Sequence, residues 1–297
     1  MENISRRKFI GAAGLLTAGL LFPESFAWAA AGKKQRYKIA VVDLMILKRQ
    51  KLSAFPLAKE LGADGLEVDM GGLGNRETFA SELAKPEVRQ QFLDKSKELG
   101  IEICSLAMTG FYAQSFAPRP TYQRMIQDCI DTMKAMDVKV AFLPLGVQGD
   151  LVKNPEVRPA IVERLKISGK MDMKGEVQIG IETHLDAAGE VELLKEVGSS
   201  AIKIYFNFSN PLKEGRDLHQ ELRILGKKRI CQIHCTDEDG VWLENNTRMD
   251  MRRVKETLDD IGYKGWLVIE RSRDQTDPTN VRKNFGANTR YMKQIFQ

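Results

Sequence analysis

The chain has 297 residues, of which 43% are hydrophobic and 29% are charged, enough for one large domain or two small ones. The formal net charge of +5 comes from Lys and Arg residues that are spread through helix-like segments. Because no segment concentrates these residues into a basic stripe, the composition argues against a nucleic-acid-binding protein.

Residues 1–31 predict an export signal. Arg6 and Arg7 directly precede the apolar run 11–22, and Ala27 to Ala29 forms a small-x-small cleavage site. This arrangement looks like a bacterial twin-arginine signal. The apolar run is too short to span a bilayer as a helix. We therefore predict cleavage of the signal, a domain at 32–297 located in the periplasm, and no stable membrane insertion.

Apolar runs of strand length alternate with helical patterns along the rest of the chain. The predicted strands are 38–43, 65–69, 101–107, 138–144, 177–182, 201–207, 229–234 and 266–270. The predicted helices are 52–61, 85–99, 121–135, 155–167, 188–197, 217–225, 249–261 and 280–296. Eight alternating units predict an α/β fold, a single-domain (β/α)8 TIM barrel. A doubly wound open sheet is the alternative, weakened because no Gly-x-Gly-x-x-Gly follows the first strand.

Four consecutive predicted strands end on polar side chains. These are Glu182, Asn207, His234 and Glu270. Since residues two apart on a strand share a face, aliphatic neighbours such as Ile181 and Ile269 point outward when these four point inward. The carboxyl ends of barrel strands meet at one mouth, where active sites of this architecture lie. We therefore expect the four side chains to converge there.

The four cysteines do not predict a disulfide framework. Cys231 and Cys235 are four residues apart in one strand, hence about 13 Å apart by strand rise, which is too far for a disulfide. Cys104 and Cys129 can pair only if the fold brings them together. No cysteine stands in a metal-ligand spacing.

Four segments of the chain carry a resemblance to a known family. They are ADGLEVDM at 63–70, IGIET at 179–183, IHCTDEDG at 233–240 and IGYKGWLVIER at 261–271. In this order and spacing they resemble the xylose-isomerase-like TIM barrels of sugar phosphate isomerases and epimerases. The resemblance spans about the whole chain after the export signal.

The resemblance implies a bound divalent metal ion, commonly Mn²⁺, with Mg²⁺, Co²⁺ or Zn²⁺ as alternatives. The family places glutamate, aspartate, histidine and glutamate on strands five to eight, and Glu182, His234 and Glu270 match three of these positions. At the sixth strand the chain has Asn207 instead of aspartate. An amide oxygen can ligate a hard cation but brings no charge, so we expect weaker metal binding here than in the family.

The same resemblance implies that Glu182 and Glu270 act as an acid/base pair besides being metal ligands. Removing a proton next to a ketose carbonyl leaves negative charge on an enediolate oxygen, which a metal ion can stabilise. Two glutamates flanking the carbon can take that proton and return it. The leading function is an isomerase or epimerase of a free sugar or keto-sugar derivative. An exported enzyme rarely meets sugar phosphates, so we prefer a neutral small-molecule sugar substrate.

Four further residues are candidates for substrate contacts. They are His184, Asp237, Glu67 and Trp242. His184 lies just beyond the fifth strand, Asp237 is in a loop that should rim the mouth, and Trp242 can form an apolar wall against a sugar ring. Each also has a plain structural interpretation, such as a pairing of Glu67 with Lys203 inside the barrel.

The sequence leaves alternatives to the leading function. A lyase or hydratase would use the same proton abstraction and then expel a hydroxyl or glycosidic group. A non-catalytic periplasmic sugar-binding protein is favoured by Asn207. A zinc phosphodiesterase of the endonuclease branch needs several histidines around three metals, and the chain has three histidines in total. The sequence leaves the oligomeric state open.

Overall fold

Eight parallel strands form a closed barrel in which each strand pairs with the next and the last pairs with the first. The structure, a computed structural model, describes residues 37–172 and 175–297. The strands are β1 (Ile39–Val42), β2 (Gly65–Asp69), β3 (Glu102–Ala107), β4 (Val140–Pro144), β5 (Gln178–Glu182), β6 (Ile202–Asn207), β7 (Ile230–His234) and β8 (Leu267–Ile269). The predicted TIM barrel is therefore confirmed, while the predicted export signal lies outside the described residues.

Helices connect the strands and surround the barrel. They are α1 (Ala54–Glu60), α2 (Pro86–Leu99), α3 (Tyr122–Ala135), α4 (Arg158–Ser168), α5 (Ala187–Val197), α6 (Ser209–Lys213), α7 (Leu218–Arg229), α8 (Met251–Asp260) and α9 (Val281–Phe296). The short helix α6, directly after β6, was not predicted. Helix α7 extends past its predicted end at 225 and is interrupted at Gly226, which has a positive φ of 61°. In the described part of the chain, no helix combines the length and apolar character needed to cross a membrane.

Side chains alternate between two layers along the strands, as predicted. Ile181, Phe206 and Ile269 belong to the large apolar core between barrel and helices. A smaller apolar cluster fills the barrel interior: Ala40, Val42, Cys104, Ala107, Phe142, Tyr205 and Val268. The outward direction of the aliphatic residues leaves the inward positions for polar groups.

A buried polar network lies within the barrel interior. Glu67 on β2 is 1% exposed, and its Oε2 accepts hydrogen bonds from Ser105 Oγ at 2.7 Å and Tyr205 OH at 2.6 Å. Gln232 Nε2 donates to both hydroxyls, at 2.7 Å to Ser105 and 2.8 Å to Tyr205. Burying a carboxylate is costly unless donors satisfy it, so these contacts are what makes Glu67 tolerable inside the barrel.

The cysteines are all unpaired. Cys104 belongs to the barrel interior, whereas Cys129 lies on α3 in the outer core. The fold therefore does not bring this pair together, and the expectation that Cys231 and Cys235 form no disulfide is confirmed.

Tyr205→Phe is expected to lower the free energy of unfolding by about 1–3 kcal/mol, because the buried Glu67 carboxylate loses a donor. Urea unfolding followed by circular dichroism measures the change. Tyr291→Phe is the matched control, since the half-buried Tyr291 hydroxyl has no hydrogen bond to any described residue. Equal losses in the two variants would show that the hydrogen bond from Tyr205 to Glu67 adds nothing to the free energy of unfolding.

Candidate functional site

The carboxyl ends of β5 to β8 bring the four predicted side chains to one place. Glu182, Asn207 and His234 are the last residues of their strands, and Glu270 directly follows β8. All four are more than nine-tenths buried. Asn207 Nδ2 lies 3.2 Å from Oε2 of Glu182 and 3.2 Å from Oε2 of Glu270. His234 Nδ1 lies 3.5 Å and 3.7 Å from the same two oxygens.

The start of α6 sets the orientation of the Asn207 amide. Its Oδ1 accepts hydrogen bonds from the backbone N–H of Ser209 at 3.0 Å and from Ser209 Oγ at 2.8 Å. A backbone N–H can only donate, so the amide oxygen must face Ser209. The NH₂ group therefore faces Glu182 and Glu270, and donates to both.

Residues of the barrel interior hold the ring of His234 in place. Its Nε2 lies 3.1 Å from Glu67 Oε1, and the ring packs against Tyr205 and Phe142 with centroid distances of 4.5 Å and 4.8 Å. Nδ1 is buried without a hydrogen-bond partner among the described residues. Burial disfavours the charged imidazolium, but the carboxylates of Glu270 and Glu67 outweigh it and hold the pKa of His234 well above its usual value.

The two glutamates differ in their electrostatic surroundings. Burial tends to raise the pKa of Glu182, but the nearby imidazole of His234, with Nδ1 3.5 Å from Glu182 Oε2, and the hydrogen bond from Asn207 outweigh it and hold this pKa below its usual value. For Glu270, burial and the nearby Glu182 charge prevail over the attraction of His234 and raise the pKa. Glu182 is thus the carboxylate that keeps its charge more readily, and Tyr112 OH lies 3.3 Å from its Oε1.

An open cleft of about 700 Å³, including the solvent at its mouth, lies over these side chains. Besides Glu182, Asn207 and Glu270, its polar and charged lining includes Tyr112, Asp150, His184, Asn210, Lys213 and Arg271. These residues come from the segments that directly follow the strands, including the short helix α6, where a barrel of this type carries its binding groups.

His184 is the predicted substrate contact that lines the cleft, and Asp150 holds its ring. His184 Nδ1 lies 2.7 Å from Asp150 Oδ2. Asp150 is buried and also accepts from the backbone N–H of Val152 at 2.9 Å. Burial would raise the pKa of Asp150, but the hydrogen bond with His184 and the backbone contact lower it below its usual value. With Nδ1 engaged, Nε2 is the ring nitrogen left for a ligand.

Asp237 and Trp242 were predicted to contact substrate, but neither lines this cleft. Asp237 accepts hydrogen bonds from Arg248 Nε at 2.9 Å and Asn246 Nδ2 at 2.8 Å. Trp242 Nε1 donates to Asn284 Oδ1 at 2.9 Å. Both side chains are held by partners in their own loop or on α9, which turns them to a different part of the surface.

Glu67 does not line the cleft either, because it lies one layer deeper in the barrel. Its carboxylate contacts His234 and the hydroxyls of Ser105 and Tyr205. Lys203, the partner considered for it, instead donates to the backbone oxygen of Lys228 at 2.8 Å. Glu67 is therefore placed as a positioning residue under His234.

Sequence analysis indicates Tyr112 only as an aromatic candidate for an apolar wall against a sugar ring, and it indicates neither Asp150 nor the reach of Arg271 into the cleft. Tyr112 and Asp150 come from the loops after β3 and β4, whose paths no periodic pattern indicates. Arg271 has the wrong parity to join Glu270 if the strand continues. Because β8 ends at Ile269, alternation no longer governs Arg271, and its side chain lines the cleft with Nε 4.0 Å from Glu270 Oε1.

The donor set as placed does not fit the metal ion that the family resemblance implies. Oε2 of Glu182, Oε2 of Glu270 and Nδ1 of His234 do face one point. The remaining side carries the N–H groups of Asn207, and an N–H group cannot coordinate a cation. Among residues 37–172 and 175–297, no group of three or more His, Cys, Asp or Glu side chains is arranged to hold a metal ion.

Comparisons with known proteins bear on the family and the fold. A family model described as a xylose isomerase-like TIM barrel matches residues 55–295. A comparison with functionally curated proteins found no match. Among solved structures, the chain is similar to a xylose isomerase domain protein from Planctomyces limnophilus, with 17% identity and a TM-score of 0.63 over 88% of this chain and 97% of that one.

Two sugar epimerases are also similar in structure. One is 3-keto-D-glucoside 4-epimerase from E. coli, with 17% identity and a TM-score of 0.64 over 86% of this chain and 100% of that one. The other is D-psicose 3-epimerase from Clostridium cellulolyticum H10, with 14% identity and a TM-score of 0.68 over 88% and 99%. At such identities the likeness establishes the fold alone. The family match covers most of the chain, which therefore belongs to the xylose isomerase-like TIM barrel family.

Proposed function

We propose that the chain is an enzyme that removes and returns a proton next to the carbonyl group of a sugar, as a sugar isomerase or epimerase. The observation that carries the proposal is the pair of buried glutamates, Glu182 and Glu270, in one cleft. Asn207 Nδ2 joins them, because it donates to an Oε2 atom of each glutamate at 3.2 Å. The similarity to a 3-keto-D-glucoside 4-epimerase and a D-psicose 3-epimerase supports the same reaction class.

The two glutamates have the chemistry that this reaction needs. Because Asn207 holds both Oε2 atoms, a substrate would exchange its proton with the Oε1 atoms, of which that of Glu182 also lies 3.3 Å from Tyr112 OH. One carboxylate takes the proton beside the carbonyl, and the other returns it to the opposite face or to the adjacent carbon. The first outcome is epimerisation and the second is isomerisation.

Arg271 is the group proposed to stabilise the charge that develops during proton removal. Its guanidinium lines the cleft and has no hydrogen bond to any described residue. Its Nε is 4.0 Å from Glu270 Oε1, close enough to contact a substrate oxygen beside the reacting carbon. A cation next to a developing enediolate lowers the barrier to its formation.

A sugar without phosphate is the proposed substrate. The predicted twin-arginine signal at 1–31 would deliver the enzyme to the periplasm, where phosphorylated sugars are scarce. Besides Lys213 and Arg271, the cleft presents carboxylate, hydroxyl, amide and imidazole groups, which match the hydroxyl groups of a neutral sugar.

Glu182→Gln and Glu270→Gln are each expected to lower the rate of proton exchange at the carbon next to the carbonyl by at least about 10²-fold, because an amide cannot act as the base. The measurement is deuterium incorporation from D₂O into D-fructose, D-psicose, D-tagatose and keto-glucosides, followed by NMR. Glu87→Gln, at an exposed position of α2, is the control for loss of a carboxylate. Full exchange activity in either site variant would refute the acid/base assignment.

A lyase or hydratase acting on keto-sugars or keto-glycosides is a second candidate, favoured by His184. Elimination begins with the same proton removal but also needs an acid that protonates the leaving oxygen. Buried Asp150 binds His184 Nδ1 at 2.7 Å and so leaves Nε2 toward a ligand. An aspartate that orients a histidine in this way is a common design for proton transfer. The cleft thus contains a third proton carrier besides the two glutamates.

For the lyase or hydratase reaction, His184→Gln is expected to retain deuterium exchange while reducing release of the leaving group by at least about 10²-fold. Mass spectrometry of keto-glycosides detects the gain or loss of water and the released group. His219→Gln is the matched control, since His219 contacts Thr257 outside the cleft. Elimination at the wild-type rate in His184→Gln would exclude this role for His184.

A further inference from the structure

We propose that the amide of Asn207 takes the place of a metal ion in this chain, so that the site holds its two glutamates together without a divalent cation. The inference goes beyond the proposed function, because it concerns what holds the two carboxylates together and applies whether or not the chain turns over a sugar. It rests on hydrogen bonds that fix which end of the amide faces the carboxylates.

The orientation of the amide does not depend on the glutamates. Both hydrogen bonds to Oδ1 come from Ser209, two residues along the chain at the start of α6. Rotating the amide by half a turn would place its NH₂ group against the Ser209 backbone N–H, so that two donors would face each other. The local backbone therefore directs the Asn207 N–H groups toward Glu182 and Glu270.

The amide nitrogen lies where a cation would be needed. It is 3.2 Å from Oε2 of Glu182 and from Oε2 of Glu270, and His234 Nδ1 faces these same oxygens. Each of the two oxygens thus lies between two nitrogen groups. A metal ion could bind these oxygens only if the Asn207 N–H groups moved away and the contacts with Ser209 were broken.

One atom at position 207 distinguishes a site held together by hydrogen bonds from a site that needs a metal ion. Asparagine and aspartate have the same shape, but aspartate would present an oxygen where the NH₂ group now lies. That oxygen would sit beside two further carboxylate oxygens in a buried place, and three such groups require a cation between them. Asparagine at this position removes the charge and supplies the two donors.

Titration with MnCl₂ tests the inference, with free Mn²⁺ followed by its electron paramagnetic resonance signal. The wild-type chain is expected to bind no Mn²⁺ below about 1 mM, and its thermal midpoint should be the same in EDTA and in Mn²⁺. Asn207→Asp is expected to gain one site that is at least about 100-fold tighter, and its midpoint should rise with Mn²⁺.

Asn210→Asp is the matched control, because Asn210 lines the same cleft but donates to Thr183 O instead of the glutamates. It should gain no Mn²⁺ site. Micromolar Mn²⁺ binding by the wild-type chain, or no gain in Asn207→Asp, overturns the inference. If Asn207→Asp folds only with Mn²⁺, the inference is supported. If it does not fold at all, the wild-type titration alone decides.

The metal titration uses no sugar, so it separates this inference from the proposed function. Deuterium exchange by the wild-type chain should continue in EDTA. Exchange that stops in EDTA and returns with Mn²⁺ would overturn the inference and leave the proposed function intact. Absence of exchange under both conditions would contradict the proposed function but not the binding result.

Discussion

Two carboxylates buried side by side are the constraint on which the rest of the site depends. Two like charges that lie close together in a protein interior repel each other more strongly than they do in water, because the effective dielectric constant is lower. Glu182 and Glu270 are each 7% exposed, so water screens this repulsion only weakly. The fold must therefore supply groups of opposite character at short distance. It does so with the imidazole of His234 and the amide of Asn207, each of which faces both carboxylates.

The alternation of side chains along β6 and β7 explains how those groups are held. Tyr205 and Asn207 are two residues apart on β6, and Gln232 and His234 are two apart on β7. Tyr205 and Gln232 belong to the hydrogen-bond network around Glu67 inside the barrel. Asn207 and His234 face the glutamates at the mouth. Because Glu67 also meets Nε2 of His234, the direction of the imidazole at the mouth is set one layer below it.

The parts of the structure that follow from periodicity could be predicted from the sequence. The bounds of β2 agree with the predicted strand at 65–69, and the four strand-end side chains converge because parity and strand order determine their place. Where the chain leaves regular structure, prediction failed. Trp242 turns away from the cleft because its partner Asn284 is on α9, and Asp150 enters the cleft from the irregular loop after β4. The orientation of Asn207 depends on α6, a five-residue helix too short to give a periodic signal.

Fold and chemistry therefore depend on different features of this chain. The barrel requires aliphatic side chains of roughly suitable size on alternate strand positions, and many sequences meet that requirement. This explains how chains with 14–17% identity share the architecture over most of their length. The electrostatics of the mouth depend on single atoms, such as the nitrogen that Asn207 presents to Glu182 and Glu270. A chain can thus keep the barrel and the positions of its site residues, while a single amide such as that of Asn207 changes how the buried carboxylates are held together.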